Sequence, residues 1–298
     1  MLLSEIQDFR NLELLARQVV EGFMNGLHRS PFHGFSVEFA EHRPYNPGES
    51  VRYLDWKLYG RTDRLFVKRF QEETNLRCRL VLDVSGSMYT GNNAPKARFS
   101  VLAAAAIMLM MRKQRDAFGL SFFAERIEEE TDIKSTASHF DLLLGRLSAH
   151  LQDAGEQHGS SPAKVLHDIA ERQQRRSLII LFSDMFTAEE PEDLFKSLQH
   201  LKHGQNEVIL FHVSDRKTEL ELRFESNRAY RFVDAEDGTE LKLEPAAYRD
   251  VYRAAVQQQL DELKARCRQY RIEFVPVDVA DDFRQVLLPF LMKRQRLY

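Results

Sequence analysis

One aspartate and two serines at two-residue spacing are the side chains of this sequence best suited to chemistry. Asp83, Ser85 and Ser87 directly follow Leu80–Leu82, a short apolar run that is typical of a buried strand. Side chains at this spacing converge on one point if the loop after the strand curls. Carboxylate and hydroxyl oxygens are hard donors, which suit Mg²⁺ or Mn²⁺ and do not suit zinc or copper. The sequence therefore predicts a Mg²⁺ (or Mn²⁺) site on this loop.

A second aspartate stands in the same relation to another apolar strand. Ser177–Phe182 is the most apolar segment predicted to be a strand, and Asp184 follows it. Ligands of an open α/β sheet bind beyond the carboxyl ends of its strands, so we expect Asp184 and Asp83 at one edge. Two carboxylates do no more than balance the charge of a divalent cation, so we expect one further anion to be electrostatically favourable. An acidic side chain of a partner protein could then complete the site.

The elements that must position these residues alternate between apolar strands and helices from residue 76 onward. This order predicts an α/β fold with a doubly wound, mostly parallel sheet and helices on both faces. We predict two parts: a small N-terminal module of helix and short strands in residues 1–75, and the sheet domain in residues 76–298. Asp237-Gly238 predicts a hairpin within an insertion near 217–243.

Composition excludes several classes of protein. The 298 residues are 43% hydrophobic, and the net charge of −3 argues against nucleic-acid binding. Two cysteines, Cys78 and Cys267, predict no disulfide framework. The longest apolar run, Val101–Met111, is short of the roughly 20 residues of a membrane helix. With no signal-peptide pattern at the N-terminus, we expect a cytoplasmic protein without membrane insertion.

The aspartates and serines together resemble the metal-ion-dependent adhesion site of von Willebrand factor A domains. That pattern is Asp-x-Ser-x-Ser after the first strand, a Thr on a later loop and an Asp after the fourth strand. The resemblance implies that the Thr position is held by Ser160 or by its neighbour Ser161. Ser keeps the hydroxyl and loses only the methyl group. The implied metal ligands are Asp83, Ser85, Ser87, Ser160 and Asp184.

A second resemblance lies upstream, in the run from Arg43 to Lys57, RPYNPGESVRYLDWK. It looks like the signature of the bacterial domain-of-unknown-function family numbered fifty-eight, and the likeness extends to about Arg294. Members carry a von Willebrand A-like domain and are typically encoded next to MoxR-type AAA+ ATPases. Glu49 replaces the usual Asp of the signature, which is a mild departure. Many relatives have membrane helices before this block, a feature that is not carried over to this chain.

The resemblance implies a non-enzymatic, metal-dependent protein-binding module. Its implied partners are a MoxR-type ATPase and an unidentified client protein. The alternative is a phosphatase-like metal-dependent hydrolase that uses Asp83. Such enzymes usually carry a second carboxylate two residues on, where this chain has Ser85, and Ser85 as a nucleophile would need a paired His.

Two groups of apolar residues have both a functional and a packing interpretation. Four residues follow the motif aspartates and are expected to form an apolar rim that contacts the partner, or else to lie partly buried under neighbouring loops. These are Met88, Tyr89, Met185 and Phe186. The only tryptophan, Trp56, is expected to pack between the N-terminal module and the sheet domain.

Overall fold

The computed structural model describes residues 11–27, 41–45, 54, 56–69, 76–152, 159–187, 189–224, 228–234, 238–283, 285–287 and 289–290. The chain divides into two compact units. One contains residues 24–75, and the other contains residues 1–23 and 76–298. The division into an N-terminal module of residues 1–75 and a sheet domain of residues 76–298 stays a prediction.

Six strands form the main sheet, in the order β10-β7-β6-β3-β4-β5. Their bounds are β3 (Arg77–Asp83), β4 (Ala117–Phe123), β5 (Ile127–Glu130), β6 (Leu178–Ser183), β7 (Glu207–Ser214) and β10 (Glu273–Asp278). Every neighbouring pair is parallel except β4 and β5, which are antiparallel. The predicted α/β class with a mostly parallel sheet is confirmed.

The strands of the main sheet have buried side chains on both faces, so both faces must be covered by helices. The helices of this unit are α1 (Leu12–Leu27, which ends in the smaller unit), α3 (Pro95–Lys113), α4 (Ala137–Gln152), α5 (Pro162–Arg172), α6 (Pro191–His203) and α7 (Pro245–Gln269). Val81, Ile179 and Leu181 pack in one buried cluster with α5, α6 and α7. Side chains alternate along a strand, so the neighbouring buried residues Leu80 and Ile180 face the opposite side.

The longest buried helix, α3, begins at Pro95, where the missing backbone N–H of proline is tolerated. The run Ala103–Ala106 is completely buried, which allows close packing. Phe99 of α3 contacts Phe283 at 5.1 Å between ring centroids. Phe283 belongs to the segment up to Phe290, which is helical wherever it is described.

The smaller unit contains the whole block from Arg43 to Lys57 that carries the second resemblance. Strands β1 (Glu41–Pro44) and β2 (Phe66–Arg69) pair antiparallel, and α2 spans Trp56–Thr62. Trp56 is 62% exposed and lies edge-on to Tyr59, so the prediction that Trp56 is buried is wrong. Within the block, residues 46–53 and 55 lie outside the described residues.

The predicted hairpin is present, with β8 (Tyr230–Val233) paired antiparallel to β9 (Glu240–Leu243). A short π-helical turn, Arg216–Leu220, follows β7. None of the described helices has the length and apolar character needed to cross a bilayer.

Candidate functional site

Asp83 ends β3 and is buried at the carboxyl edge of the sheet, with 2% of its surface exposed. Its Oδ1 accepts a hydrogen bond from the Ser85 backbone N–H at 2.9 Å, and its Oδ2 accepts one from Ser183 Oγ at 2.6 Å. Burial, and then the charge of Asp184, raise the pKa of Asp83 to about 7. This buried anion would be stabilised by a nearby cation.

The two motif serines lie together, as their spacing predicts. Ser85 Oγ and Ser87 Oγ are 3.1 Å apart, and Ser85 is fully buried while Ser87 is partly exposed. The loop curls because Gly86–Tyr89 forms a single 3₁₀ turn immediately after Ser85. Two neighbouring hydroxyl oxygens are therefore presented on the loop, two and four residues after Asp83.

Asp184 follows β6, the strand beside β3, so both aspartates lie at the same edge of the sheet. Its Oδ1 accepts a hydrogen bond from the Phe186 N–H at 3.1 Å, and its Oδ2 accepts one from Lys96 Nζ at 2.8 Å. Lys96 also pairs with Glu219 of the π-helical turn. Lys96, whose buried ammonium contacts Asp184, was not identified from the sequence.

Ser183 was also missed, although it joins the two aspartate loops. Its Oγ donates to Asp83 Oδ2 and accepts a hydrogen bond from the Met185 N–H at 2.8 Å. Met185 has a φ of 55°, a left-handed conformation that costs about 1 kcal/mol for a non-glycine residue. The Ser183 and Asp184 side chains hold this turn in place. A serine directly before a strand-end aspartate was the available sequence signal.

Ser160 lies on the loop that precedes α5 and is buried, with 8% of its surface exposed. Its Oγ has no hydrogen-bond partner among the described residues. The backbone N–H of Ser161 donates to the carbonyl of Ala124, just past the end of β4, while Thr187 Oγ1 donates to the Ser160 carbonyl at 3.3 Å. These bonds hold the loop at the same sheet edge and near the loop after Asp184. Of the two serines left open by the sequence, Ser160 has the buried oxygen that lacks a partner.

The donor set fits a hard divalent cation. It contains two buried carboxylates, a pair of hydroxyls and the unpartnered Ser160 Oγ, all of them oxygens. Among the described residues, no group of three or more His, Cys, Asp or Glu side chains could hold a metal. A site here would therefore depend on its serines as much as on Asp83 and Asp184.

The expected apolar rim is reduced to two residues. Met88 is completely buried because the 3₁₀ turn directs it into the core, and Met185 is 8% exposed and belongs to the main buried cluster. The burial of these two methionines agrees with the packing alternative and not with an exposed rim. Tyr89 and Phe186 are partly exposed. Tyr89 Oη donates to the carbonyl of His150 at 3.0 Å, which fixes its ring.

His212, on β7, is a third buried titratable residue near Asp184. Burial lowers its pKa to about 4, and the Asp184 charge offsets only part of this effect. His212 is therefore neutral at pH 7, and its ring stacks on Phe274. The imidazole of His212 is therefore a packed, uncharged neighbour of Asp184.

Comparison with known proteins gives matches by sequence and by fold. The family described as "Protein of unknown function DUF58" matches residues 41–262. Uncharacterized protein Rv1480 of Mycobacterium tuberculosis and Uncharacterized protein Mb1516 of Mycobacterium bovis are each 26% identical over 262 residues, which is 85% of this chain and 78% of theirs.

Solved structures with a similar fold include the conserved hypothetical protein BatB from Bacteroides thetaiotaomicron. It is 14% identical, with a TM-score of 0.46, over 74% of this chain and 99% of that one. A von Willebrand factor type A protein from Catenulispora acidiphila is 14% identical, with a TM-score of 0.34, over 61% of this chain and 42% of that one.

Proposed function

The chain belongs to the DUF58 family of proteins of unknown function, and we propose a function for it from the residues of its candidate site. We propose that it is a non-enzymatic, metal-dependent protein-binding module. In this proposal, Mg²⁺ or Mn²⁺ is held by the five residues that the sequence indicates, and an Asp or Glu of a partner completes the site. The ligands are Asp83, Ser85, Ser87, Ser160 and Asp184.

Two observations support the proposal: the oxygen donors of Asp83, Ser85, Ser87 and Asp184 lie at one sheet edge, and the loop that holds the unsatisfied Ser160 hydroxyl lies at the same edge. Buried polar groups are nearly always hydrogen-bonded, so the orphan Oγ of Ser160 needs a reason. A bound cation would satisfy this oxygen. It would also offset the burial that raises the pKa of Asp83.

Binding is favoured over hydrolysis by the environment of Asp83. Both of its carboxylate oxygens already accept hydrogen bonds, from the Ser85 N–H and from Ser183 Oγ, and the side chain is buried. Each oxygen keeps a second lone pair that a small cation can use. A nucleophilic carboxylate must face its substrate, and the Asp83 side chain is buried instead. The more accessible Ser87 would contact a partner's side chain.

The chain's own residues would position the partner. A bound cation supplies electrostatic attraction for an incoming carboxylate. Partly exposed Tyr89 and Phe186, on the two aspartate loops, would offer apolar contact beside that carboxylate. The partner proposed from the family resemblance is a MoxR-type AAA+ ATPase, with this protein as an adaptor that recruits a client.

The test measures binding of a MoxR-type ATPase from the same organism, with Mg²⁺ and with EDTA. We expect wild-type protein to bind in Mg²⁺ and to lose at least about tenfold in affinity in EDTA, since a charged contact would be removed. Ser87→Ala should bind weakly under both conditions.

The matched control is Ser138→Ala, an exposed serine on α4 whose loss should change nothing. Equal binding by wild type and Ser87→Ala, with and without EDTA, would contradict a cation-mediated contact.

A further inference from the structure

Lys96 is a buried cation placed against the candidate site. Only 1% of it is exposed, yet it lies on the first turn of α3, where a lysine would ordinarily reach solvent. Its Nζ donates to Asp184 Oδ2 at 2.8 Å and pairs with Glu219. Burying an ammonium costs several kcal/mol unless it is paired and hydrogen-bonded, so this arrangement is a built feature of the fold.

Lys96 and a divalent cation would compete for the same carboxylate, that of Asp184. The ammonium of Lys96 pairs with buried Asp184 and with partly buried Glu219, and the buried carboxylate of Asp83 lies at the same sheet edge as Asp184. Asp184 Oδ1 is already taken by the Phe186 N–H, and Oδ2 is taken by Lys96. A cation that binds Asp184 directly must share or displace the ammonium.

We propose that Lys96 is an internal competitor that sets the metal affinity of the site, pairing with Asp184 when the cation is absent and with Glu219 alone when it is bound. This inference rests on the metal site of the proposed function. It assigns Lys96 a positioning role that is separate from the ligands themselves.

Glu219 is held where it can receive the ammonium. Its Oε2 accepts a hydrogen bond from the Asp215 N–H at 2.9 Å, and its carbonyl accepts one from Tyr252 Oη of α7 at 2.7 Å. Asp215 Oδ1 also accepts from the backbone N–H groups of Lys217 and Thr218. Glu219 is thus fixed between the end of β7 and α7, and Lys96 can leave Asp184 without becoming an unpaired buried charge.

The decisive experiment compares Mn²⁺ binding to wild type and to the double variant Lys96→Met/Glu219→Gln by calorimetry. The double variant removes one positive and one negative charge, so its net charge equals that of wild type. It leaves one unpaired buried carboxylate, that of Asp184, where Lys96→Met alone would leave two. We expect the double variant to bind Mn²⁺ at least about tenfold more tightly, because Asp184 Oδ2 is released.

Glu219→Gln alone gives the opposite prediction. It leaves the ammonium no alternative carboxylate, so Lys96 should stay on Asp184 and Mn²⁺ binding should weaken several-fold. A fluorescence melting curve in EDTA, recorded for each variant, verifies that affinities are compared between folded proteins.

The outcomes separate this inference from the proposed function. Equal Mn²⁺ affinity in wild type and the double variant overturns the competition alone. Binding by the double variant but not by wild type supports the competition and overturns the metal-dependent function of the natural chain. Absence of binding to both proteins overturns the competition together with the metal site.

Discussion

Ser183 Oγ donates a hydrogen bond to Asp83 Oδ2 at 2.6 Å, joining residues 100 positions apart in the chain. The same Oγ accepts from the Met185 N–H, which stabilises the left-handed turn that follows Asp184. One hydroxyl therefore links the loop after β3 to the loop after β6. The pairing of β3 with β6 brings the two aspartates to one edge, and this hydroxyl fixes the loops that carry them.

Ser183→Ala should weaken both the fold and the site. It leaves Asp83 Oδ2 and the Met185 N–H without their partner inside the protein, and each such loss costs about 1–3 kcal/mol. We expect the free energy of unfolding, measured with urea, to fall by about 2 kcal/mol or more, and Mn²⁺ affinity to fall as well.

Ser197→Ala is the control for this effect. Ser197 is also buried, but its Oγ donates only to the Asp193 carbonyl within α6. Its removal should leave Mn²⁺ affinity unchanged. Loss of Mn²⁺ binding in the control to the same extent as in Ser183→Ala would show a general effect on the fold.

The unpartnered hydroxyl of Ser160 gives a second, sharper prediction. Ser160→Ala should lower Mn²⁺ affinity while leaving the metal-free protein as stable as wild type, or more stable by about 1 kcal/mol, because an unsatisfied buried polar atom is removed. Ser161→Ala should leave Mn²⁺ affinity unchanged.

Ser121 provides the matched control, since its buried Oγ on β4 also has no hydrogen-bond partner among the described residues. Ser121→Ala should show the same change in stability with no change in Mn²⁺ affinity. If Ser160→Ala binds Mn²⁺ as wild type does, or if Ser161→Ala is the variant that loses binding, the assignment of Ser160 is wrong.

His212 predicts a dependence of stability on pH. Its pKa is lowered from an ordinary value of 6.5 to about 4 in the fold, so between these values only the unfolded chain takes up the proton. This contribution to stability is complete above pH 6.5 and is lost as the pH falls toward 4. Between pH 7 and 4.5 the loss amounts to about 2 kcal/mol.

The measurement is urea unfolding in EDTA at both pH values, for wild type and His212→Gln. Asp83 acts in the opposite direction, because its raised pKa makes the fold less stable as the pH rises through the same range. Both proteins share that effect, so the comparison isolates His212. An equal change in stability for the two proteins would contradict the prediction.

The parts of the fold that could be predicted were those fixed by local patterns. Strands β3 and β6 read as continuous apolar runs, and the strand-end positions of Asp83 and Asp184 followed from the rule for ligands of open sheets. The two-residue spacing of Ser85 and Ser87 also sufficed to bring their hydroxyls together.

The missed residues depend on contacts between distant segments. No local pattern marks Lys96 as buried, because its burial depends on carboxylates 88 and 123 residues away. Met88 seemed available for a partner because no local pattern shows which way a 3₁₀ turn directs its side chain. Trp56 was expected to be buried because of its type, yet it is exposed on a short helix.

The most direct test of the central claim is a calorimetric titration of Mn²⁺ into wild type and Asp83→Asn, both stripped with EDTA. Asn keeps the shape of the side chain and removes its charge. We expect wild type to bind Mn²⁺ and Asp83→Asn to bind it at least about tenfold more weakly. The metal-free melting temperature of Asp83→Asn should be unchanged or raised, because a buried charge is gone. Equal Mn²⁺ affinity in the two folded proteins would contradict the account.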